Sequence, residues 1–377
     1  MIDPINNDLM KFEESLIFRL RSLYKGYGYL PYKMSKFEEY DFYLNNKDFL
    51  TSTNVIAFND TDGRLLAMKP DVTLSIIKNA SEEQGCTTKY YYNENVYRVS
   101  PRTKSYREIM QTGLECVGDV GVYNMCEVLS LAAKSLGMIS EDYVLDISHM
   151  GILAGVLAEV EADDAVKSSI VELVASKNVH DLEKLCEANG ISNDVCNKIA
   201  ALISIHGSMT SVLARLDKVG FAGEAANAVA ELKEICGVLC AEDGADNIRL
   251  DFSLANDMSY YNGIVFKGFI KDLPDSVLSG GRYDRLLHKM GKSLGAIGFA
   301  VYLDVLEPLT GDGKEYDVDA LLLYCDEDDC GKVIKAVEAA REAYGTVVAE
   351  KAIPQKLRYR VLLKMDKNGG VAPVGKE

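Results

Sequence analysis

A long segment without proline separates two regions of different character and most strongly limits how this chain can fold. No proline occurs between Pro101 and Pro274, and residues 151–241 are rich in Ala, Leu, Glu and Lys. The regions on either side consist of short β-rich runs punctuated by Gly, Pro and Asn. We therefore predict a β-rich core that is interrupted by an all-helical insertion. Its helical spacing is illustrated by Val229, Leu232, Cys236 and Leu239.

The first 150 residues predict a helix, a β-hairpin and a second helix. The runs Tyr90–Ser100 and Arg107–Gly118 predict two strands joined by a basic loop. A second helix is expected around residues 125–136, ending at Gly137, and a buried strand follows at residues 143–148. The first helix is expected to end near Gly26, after apolar residues spaced by three and four: Leu9, Phe12, Leu16, Leu20 and Leu23.

Strand patterns return after the insertion. Residues 247–254 and 261–270 predict strands, and a helix is expected at about 281–289. A small α/β unit follows, with a strand near 318–325, a helix near 329–344, a strand near 358–365 and a loose tail. The predicted domains are a core at 1–150 and 245–310, a helical insertion at 151–244 and a C-terminal unit at 311–377.

Composition excludes several classes of protein. The chain has 57 acidic and 41 basic residues, for a formal charge of −16, which argues mildly against nucleic acid as the main partner. No apolar run approaches the roughly 18 to 20 residues of a membrane span, and the acidic N-terminus does not resemble a signal peptide. Nine cysteines without a C-x-x-C pair predict free thiols in a reducing, cytoplasmic setting. We predict no metal and no cofactor.

Two segments place polar side chains in a strand context. In MKPDVTLSI, Asp71 and Thr73 would share one face of a strand, or would belong to a turn or a helix cap. Gln111, Gly113 and Glu115 alternate along the second hairpin strand. Burying such groups unpaired costs about 1–3 kcal/mol each. That face therefore either meets water or lines a polar pocket.

Four further residues attract attention because of their positions. Arg98 stands at the end of the first hairpin strand, and Arg282 follows a Gly-Gly turn. The adjacent Tyr260 and Tyr261 would point to opposite faces of a strand, so that at most one of them would join a given pocket.

Five segments together resemble one family. MKPDVT, the Tyr97-Arg98 hairpin with Q-x-G-x-E, SYYNG, SGGRYD and GAIGFA occur in the order seen in histidyl-tRNA synthetases. They also resemble the synthetase-like regulatory subunits of ATP phosphoribosyltransferase. The resemblance spans about residues 8–310. It implies an α+β fold of the class II aminoacyl-tRNA synthetase type, with an antiparallel sheet flanked by helices.

The resemblance also implies that a histidine pocket is retained. Asp71 and Thr73 would bind the α-ammonium group of the ligand. Glu115 and one tyrosine would hold the imidazole, since a carboxylate and a phenol suit the two ring nitrogens. The implied set, with Gln111 near the backbone end of the ligand and Arg282 at the rim, is Asp71, Thr73, Arg98, Gln111, Glu115, Tyr260, Tyr261 and Arg282.

The residues that would activate histidine differ from the family pattern. Where the synthetases have R-G-L-D-Y-Y, this chain has N-D-M-S-Y-Y, with Asn256 in place of the arginine. Their G-x-E-R-L is here Y-L-D-V-L, with Val305 in place of another arginine, and F-R-x-E is Y-R-V-S, with Ser100. Of these arginines, Arg98 remains. Losing one preorganised charged donor typically costs about 100- to 1000-fold in rate, so we predict binding without activation.

The implied function is that of a non-catalytic regulatory subunit of ATP phosphoribosyltransferase, the first enzyme of histidine biosynthesis. Its expected partners are the short-form catalytic subunit, a second copy of itself within a hetero-oligomer, and histidine as a feedback ligand. No tRNA is expected, because the predicted C-terminal unit is smaller than the usual anticodon-binding domain. The alternatives are an active histidyl-tRNA synthetase and a scaffold that no longer binds histidine.

Overall fold

The computed structural model describes residues 10–50, 55–80, 83–99, 105–257, 260–309, 316–366 and 369–374, apart from the side chains of residues 48, 256 and 257. The chain divides into two compact units, residues 1–309 and residues 310–377. Among the residues described, no helix is long and apolar enough to cross a membrane.

The described segments contain twelve α-helices in chain order. They are α1 Phe12–Gly26, α2 Tyr40–Asn45, α3 Thr73–Asn79, α4 Val122–Ile139, α5 Met150–Ala158, α6 Asp164–Ala175, α7 Val179–Ala188, α8 Asn193–Ser204, α9 Met209–Leu216, α10 Gly223–Leu239, α11 Asp284–Lys289 and α12 Cys330–Tyr344. Short 3-10 turns lie at Lys47–Phe49, Ala245–Asn247, Phe252–Asp257 and Asp304–Leu309.

Sixteen strands accompany these helices in the same segments. They are β1 Leu30–Pro31, β2 Phe37–Glu39, β3 Ala57–Asn59, β4 Leu65–Met68, β5 Thr87–Val99, β6 Tyr106–Gly118, β7 Tyr143–His149, β8 His206–Ser208, β9 Ile248–Asp251, β10 Ile264–Ile270, β11 Leu278–Arg282, β12 Gly295–Tyr302, β13 Val318–Leu323, β14 Val347–Glu350, β15 Tyr359–Met365 and β16 Val371–Pro373.

A nine-stranded sheet organises the first unit, with the order β1-β5-β6-β12-β11-β10-β7-β9-β8. Its pairs are antiparallel except for β1 with β5 and β7 with β9. The predicted hairpin forms its longest pairing, since β5 and β6 face each other from Thr87 opposite Gly118 to Val99 opposite Tyr106. The basic loop of the hairpin and Ser100 lie outside the described residues. A separate three-stranded sheet has the order β2-β4-β3.

Helices cover one face of the large sheet. The predicted stripe of α1 is buried at Leu16 and Leu20, and Leu9 lies outside the described residues. Helix α4 buries Met125, Val128 and other apolar side chains in the same core. The prediction that α4 ends at Gly137 is wrong. A side chain at Gly137 would meet its nearest neighbour at an ordinary 3.6 Å, so the glycine interrupts nothing and the helix continues to Ile139.

The segment between β7 and β9 contains helices α5 to α10 and the short strand β8. The predicted stripe on α10 is buried in the main core, and Leu232, Cys236 and Leu239 are fully enclosed. Gly190 and Gly220 separate consecutive helices, and both have a positive φ, at 66° and 76°. A residue without a Cβ adopts this left-handed conformation at low cost, which explains why the helices end there.

The opposite face of the large sheet carries a second core. Tyr92, Val96 and Val117 of the hairpin pack there with residues of α3, α11 and the small sheet. Alternate residues of each long strand thus enter different cores, as expected for a sheet that is covered on both faces. This second face is incompletely covered, and the candidate site lies in the space that remains.

The C-terminal unit contains a four-stranded sheet of order β14-β13-β15-β16, and α12 packs on it. The predicted strand–helix–strand pattern is present as β13, α12 and β15. The prediction of a loose tail is wrong in part, because Val371–Pro373 pairs antiparallel with β15. Strand β14 was not predicted, since its four residues carry too short a pattern to recognise from the sequence.

Candidate functional site

A pocket of about 610 Å³ opens on the second face of the large sheet. Strands β6, β11 and β12 form its floor, and α3 and the segment before β10 supply its walls. The structure brings seven of the eight sequence-predicted residues into its lining: Asp71, Thr73, Arg98, Gln111, Glu115, Tyr260 and Tyr261.

Glu115 lies at the buried end of the pocket, with 2% of its surface exposed. Thr73 donates a hydrogen bond from its Oγ1 to Glu115 Oε1 at 2.6 Å, and the Tyr283 hydroxyl donates to Oε2. Two hydroxyl groups from different elements therefore fix the orientation of this carboxyl. A ligand donor meets a preorganised acceptor whose side chain has already lost its freedom.

Burial raises the pKa of Glu115 to about 8. The hydrogen bonds from Thr73 and Tyr283 favour the charged form, and the nearby Asp71 carboxylate opposes it. Desolvation prevails because no cation among the described residues offsets it. A ligand that brings a positive charge or a strong N–H donor to Glu115 would restore the ionised form.

Glycines on the neighbouring strands make room for these groups. Gly298 pairs with Glu115 across β12 and β6, and a Cβ at this position would overlap the Glu115 carboxylate. A Cβ on Gly113 would overlap Phe299 O and the Tyr92 ring. A larger side chain at either position would therefore displace pocket residues.

Asp71 and Thr73 reach the pocket from the start of a helix. Of the two alternatives for MKPDVT, a strand or a turn or helix cap, the strand is excluded, because Thr73 is the first residue of α3. Asp71 Oδ1 accepts a hydrogen bond from the Leu74 amide at 2.9 Å, so the helix-cap alternative applies to this residue. Burial raises the pKa of Asp71, while the Arg98 charge and the helix amides oppose the rise. The cap thus positions an acidic group that still faces the pocket.

Gln111 offers an unused donor. It is 3% exposed, and its Nε2 has no hydrogen-bond partner within the described part of the chain. An unpaired buried amide costs on the order of 1–3 kcal/mol. Such a group at the pocket surface is explained by a ligand acceptor, and a carboxylate oxygen would serve.

Both adjacent tyrosines line the pocket, which corrects the expectation that at most one could do so. Tyr260 and Tyr261 precede β10 in a turn, where the alternation of a strand does not apply. Their rings pack edge to face with centroids 4.7 Å apart. A Cβ on Gly281 would overlap the Tyr261 ring, so this glycine also shapes the wall.

The sequence analysis missed two buried tyrosines that complete the aromatic wall. Tyr283 follows β11 and donates to Glu115, and its ring lies 5.7 Å from that of Tyr260. Tyr92 stands opposite Gly113 in the hairpin. Burial raises the pKa of both phenols well above 10, so they stay protonated as donors. The hairpin register would have pointed to Tyr92, since it places Tyr92 across from the Gln–Gly–Glu face.

Arg98 lies beside Asp71 at the side of the pocket. Its Nε donates to Pro70 O at 2.8 Å, and its Nη2 lies 4.0 Å from Asp71 Oδ2. The guanidinium is therefore held by the segment that also carries Asp71, and it can turn its remaining N–H groups towards a ligand.

Arg282 does not lie in this pocket. Its Nε donates to Asp284 Oδ2 at 2.8 Å, and it lines a second cavity of about 570 Å³ with Asp284 and His288. On β11, Gly281 faces the first pocket, so the next side chain must face the other side of the sheet. Arg282 was expected at the rim of the first pocket, and the structure places it in the second cavity instead.

The exposed end of the first pocket has a different chemistry. Lys267, Ser279, Tyr302, Asp304 and Val305 lie there. Val305 is an apolar side chain in the position where the resembling synthetases carry an arginine. The side chain of Asn256, the other substitution of this kind, lies outside the described residues. Among the residues described, no cluster of three or more His, Cys, Asp or Glu could hold a metal ion.

Comparisons with known proteins identify relatives of the whole first unit. A family model described as histidyl-tRNA synthetase matches residues 4–306. The ATP phosphoribosyltransferase regulatory subunit of Oceanobacillus iheyensis is 26% identical over 311 residues, covering 82% of this chain and 76% of that protein.

Solved structures have the same fold. An ATP phosphoribosyltransferase regulatory subunit/histidyl-tRNA synthetase from Bacillus halodurans is 23% identical with a TM-score of 0.71, covering 90% of this chain and 88% of that one. A chain of the ATP phosphoribosyl transferase (HisG:HisZ) complex from Thermotoga maritima is 19% identical with a TM-score of 0.62, covering 78% and 97%. The predicted class II synthetase-like fold is confirmed.

Proposed function

We propose that this chain, which belongs to the histidyl-tRNA synthetase family, acts as a non-catalytic regulatory subunit of ATP phosphoribosyltransferase. Relatives that align with most of the chain carry that name, among them proteins 26% and 24% identical to it. In this role the chain forms a complex with the short-form catalytic subunit and activates it.

One observation carries the proposal. The pocket keeps the groups that would recognise an amino acid, while Val305 lines its exposed end in place of a cation. Charge accumulates on phosphate oxygens during amino-acid activation, and a valine cannot stabilise it. A site that binds a ligand without transforming it suits a sensor better than an enzyme.

Histidine is the ligand that we propose for the pocket. Its α-ammonium would lie between Asp71 and Thr73, and its carboxylate would accept from Gln111 Nε2, which otherwise has no partner in the described residues. An imidazole N–H would donate to Glu115 in the aromatic cage. Arg98 is close enough to Asp71 to assist at the backbone end of the ligand.

Calorimetry with histidine tests the ligand assignment. Wild-type protein is expected to bind histidine, and Glu115→Gln is expected to bind it roughly 10- to 100-fold more weakly, because a hydrogen bond to a charged group contributes about 1.5–3 kcal/mol. Glu108→Ala is the matched control, since Glu108 lies on the same strand but is exposed outside the pocket. Equal affinity in Glu115→Gln and wild type would refute the assignment.

Reconstitution with the short-form catalytic subunit tests the regulatory role. Co-elution on a sizing column and faster phosphoribosyl transfer are expected on mixing. No complex and no stimulation would defeat the proposal. Histidine-dependent exchange of pyrophosphate into ATP by the folded chain alone would instead identify a working synthetase.

We propose feedback through the same pocket and a homodimer within the hetero-oligomer. A ligand regulates only when its affinity differs between two states of the assembly. Histidine should therefore inhibit the reconstituted complex, and Glu115→Gln should weaken that inhibition. If Glu115→Gln leaves the inhibition unchanged, the feedback site lies instead on a surface shared with the partner. Sedimentation of the isolated chain tests the dimer.

A further inference from the structure

The SGGRYD segment contributes one of its three large side chains to the pocket. Tyr283 lines the pocket and donates to Glu115, whereas Arg282 and Asp284 line the second cavity. Tyr283 lies between the last residue of β11 and the first residue of α11. Its backbone is therefore at the end of the regular strand pairing, and the groups beside it decide how firmly it is held.

The Asp284 carboxylate accepts hydrogen bonds from three different segments. Its Oδ1 accepts from the Ala296 amide of β12 at 3.0 Å, and its Oδ2 accepts from Arg282 Nε of β11 at 2.8 Å. Asn262, in the segment before β10, donates from Nδ2 to the same Oδ2 at 3.4 Å. Asp284 is 9% exposed, and Arg282 supplies the opposite charge that a buried carboxylate requires.

Each of these three segments carries a pocket residue close to the group that Asp284 binds. The bonded residues and their neighbours in the pocket are Asn262 with Tyr261, Arg282 with Tyr283, and Ala296 with Gly298. A carboxylate that ties three backbones together sets the distances among the pocket residues that they carry.

The hydrogen bond from Tyr283 to Glu115 depends most directly on this arrangement. The Tyr283 amide donates to Ala296 O at 2.9 Å, and the Ala296 amide donates to Asp284, so β12 is tied to Tyr283 and to the residue after it. A hydrogen bond weakens steeply when its angle is displaced. A shift of this short segment would therefore misalign the phenol with the carboxyl that it orients.

We propose that Asp284 is a positioning residue for the pocket, which holds Tyr283 in place to donate to Glu115 without contacting the ligand itself. The inference rests on the proposed function where it concerns histidine, because the ligand would meet the carboxyl that Tyr283 orients. The arrangement lowers the entropic cost of binding, since the phenol is fixed before a ligand arrives. It also gives Arg282 a role outside the pocket, as the partner that keeps Asp284 charged.

Calorimetry with histidine measures the first consequence. Asp284→Ala is expected to bind histidine roughly tenfold more weakly than wild type, because the orientation of a charged hydrogen-bond acceptor is lost. Tyr283→Phe is expected to weaken binding as well. Adding Asp284→Ala to Tyr283→Phe should weaken binding by less than about threefold further, because residues that act through one contact are not additive.

Infrared spectroscopy of the empty protein measures the second consequence. A protonated carboxyl band that is present in wild type and absent from Glu115→Gln reports the ionisation of Glu115. Its pH midpoint is expected to rise by about one unit in Asp284→Ala, since the charged form loses the hydrogen bond from Tyr283. The other titratable groups near Glu115 are the same in both proteins: Asp71, Tyr92, Tyr260, Tyr29 and Cys116.

Asp60→Ala is the matched control. The Asp60 carboxylate also accepts from backbone amides and from an arginine Nε, those of Asp62 and Arg64, but it lies in the turn between β3 and β4 and is not among the described residues that line the pocket. Its removal is expected to leave the histidine affinity and the Glu115 midpoint unchanged.

Asp284→Asn supplies a second variant if Asp284→Ala does not fold. It keeps an oxygen for the Ala296 amide and loses the charge that holds Arg282. The histidine affinity and the Glu115 midpoint are expected to change in the same direction as in Asp284→Ala, by a smaller amount.

A folded Asp284→Ala variant that keeps both the histidine affinity and the Glu115 midpoint of wild type would overturn the inference. Weaker binding that adds fully to the effect of Tyr283→Phe and leaves the midpoint in place would also overturn it, since Asp284 would then act by another route. If Asp284→Ala does not fold, wild-type values in Asp284→Asn have the same meaning. The proposed function fails separately: wild-type protein that ignores histidine refutes the ligand assignment, while the infrared titration of the empty protein still decides the role of Asp284.

Discussion

Replacing Glu115 by glutamine should change how the stability of the empty protein depends on pH. The pKa of Glu115 in the folded protein is about 8, against an ordinary value of 4.5 for a glutamate. Between these values the unfolded chain releases a proton that the folded chain retains, so wild-type stability falls as pH rises. The fall approaches 1.36 kcal/mol per pH unit. Between pH 5 and pH 8 it amounts to about 4 kcal/mol, a contribution that Glu115→Gln cannot make.

Urea unfolding of both proteins at pH 5, 6.5 and 8 measures this effect. Circular dichroism and tyrosine fluorescence can follow the transitions, because the chain has 21 tyrosines and no tryptophan. Titrations of groups remote from Glu115 occur in both proteins and cancel in the difference between them, whereas Asp71 is coupled to Glu115 and does not cancel completely. We expect the stability of Glu115→Gln relative to wild type to increase with pH. A difference that is constant from pH 5 to pH 8 would refute the raised pKa and the desolvated site it implies.

Four further substitutions have outcomes of defined sign. Gly298→Ala should abolish histidine binding in calorimetry, since its Cβ would overlap the Glu115 carboxylate. Gly137→Ala should raise the free energy of unfolding by about 0.5–1 kcal/mol in thermal unfolding, because the position is helical and a Cβ there would meet its nearest neighbour at an ordinary 3.6 Å. Gln111→Met should weaken histidine binding at least tenfold without lowering the melting temperature of the empty protein, because it removes an unpaired donor. Lys69→Met should lower the free energy of unfolding in urea by about 3–5 kcal/mol, because it leaves Glu94 without its buried partner. Adding Glu94→Leu should recover part of that loss.

The pocket combines two kinds of preparation for a ligand. Glu115 is held by hydroxyl groups from α3 and from the residue after β11, so its geometry is set before binding. Gln111 has a donor that the described residues leave unused. The first feature lowers the entropic cost of binding, and the second makes the empty state less stable than it could be. Both favour occupancy by a ligand with an N–H donor at one end and a carboxylate at the other.

Local patterns account for the parts of the fold that were predicted. The hairpin follows from two long β-rich runs, and the helices α1, α4 and α10 follow from apolar residues spaced by three and four. The pocket face of β6 was equally visible, since Gln111 and Glu115 alternate with apolar residues of the opposite core. These patterns depend on neighbours that are close in the chain, and a periodic segment keeps its orientation over its whole length.

The sequence by itself determined that the chain has a β-rich core with a helical interruption, and that its motifs resemble those of histidyl-tRNA synthetases. Tertiary structure decided which side chains meet. Both tyrosines before β10 face the pocket because they lie in a turn, where strand alternation no longer applies. Arg282 leaves the pocket because Gly281 precedes it on the facing side of β11, and the same alternation returns Tyr283 to the face that carries Glu115. Side-chain direction outside regular segments depends on backbone turns and distant contacts, which no local spacing encodes.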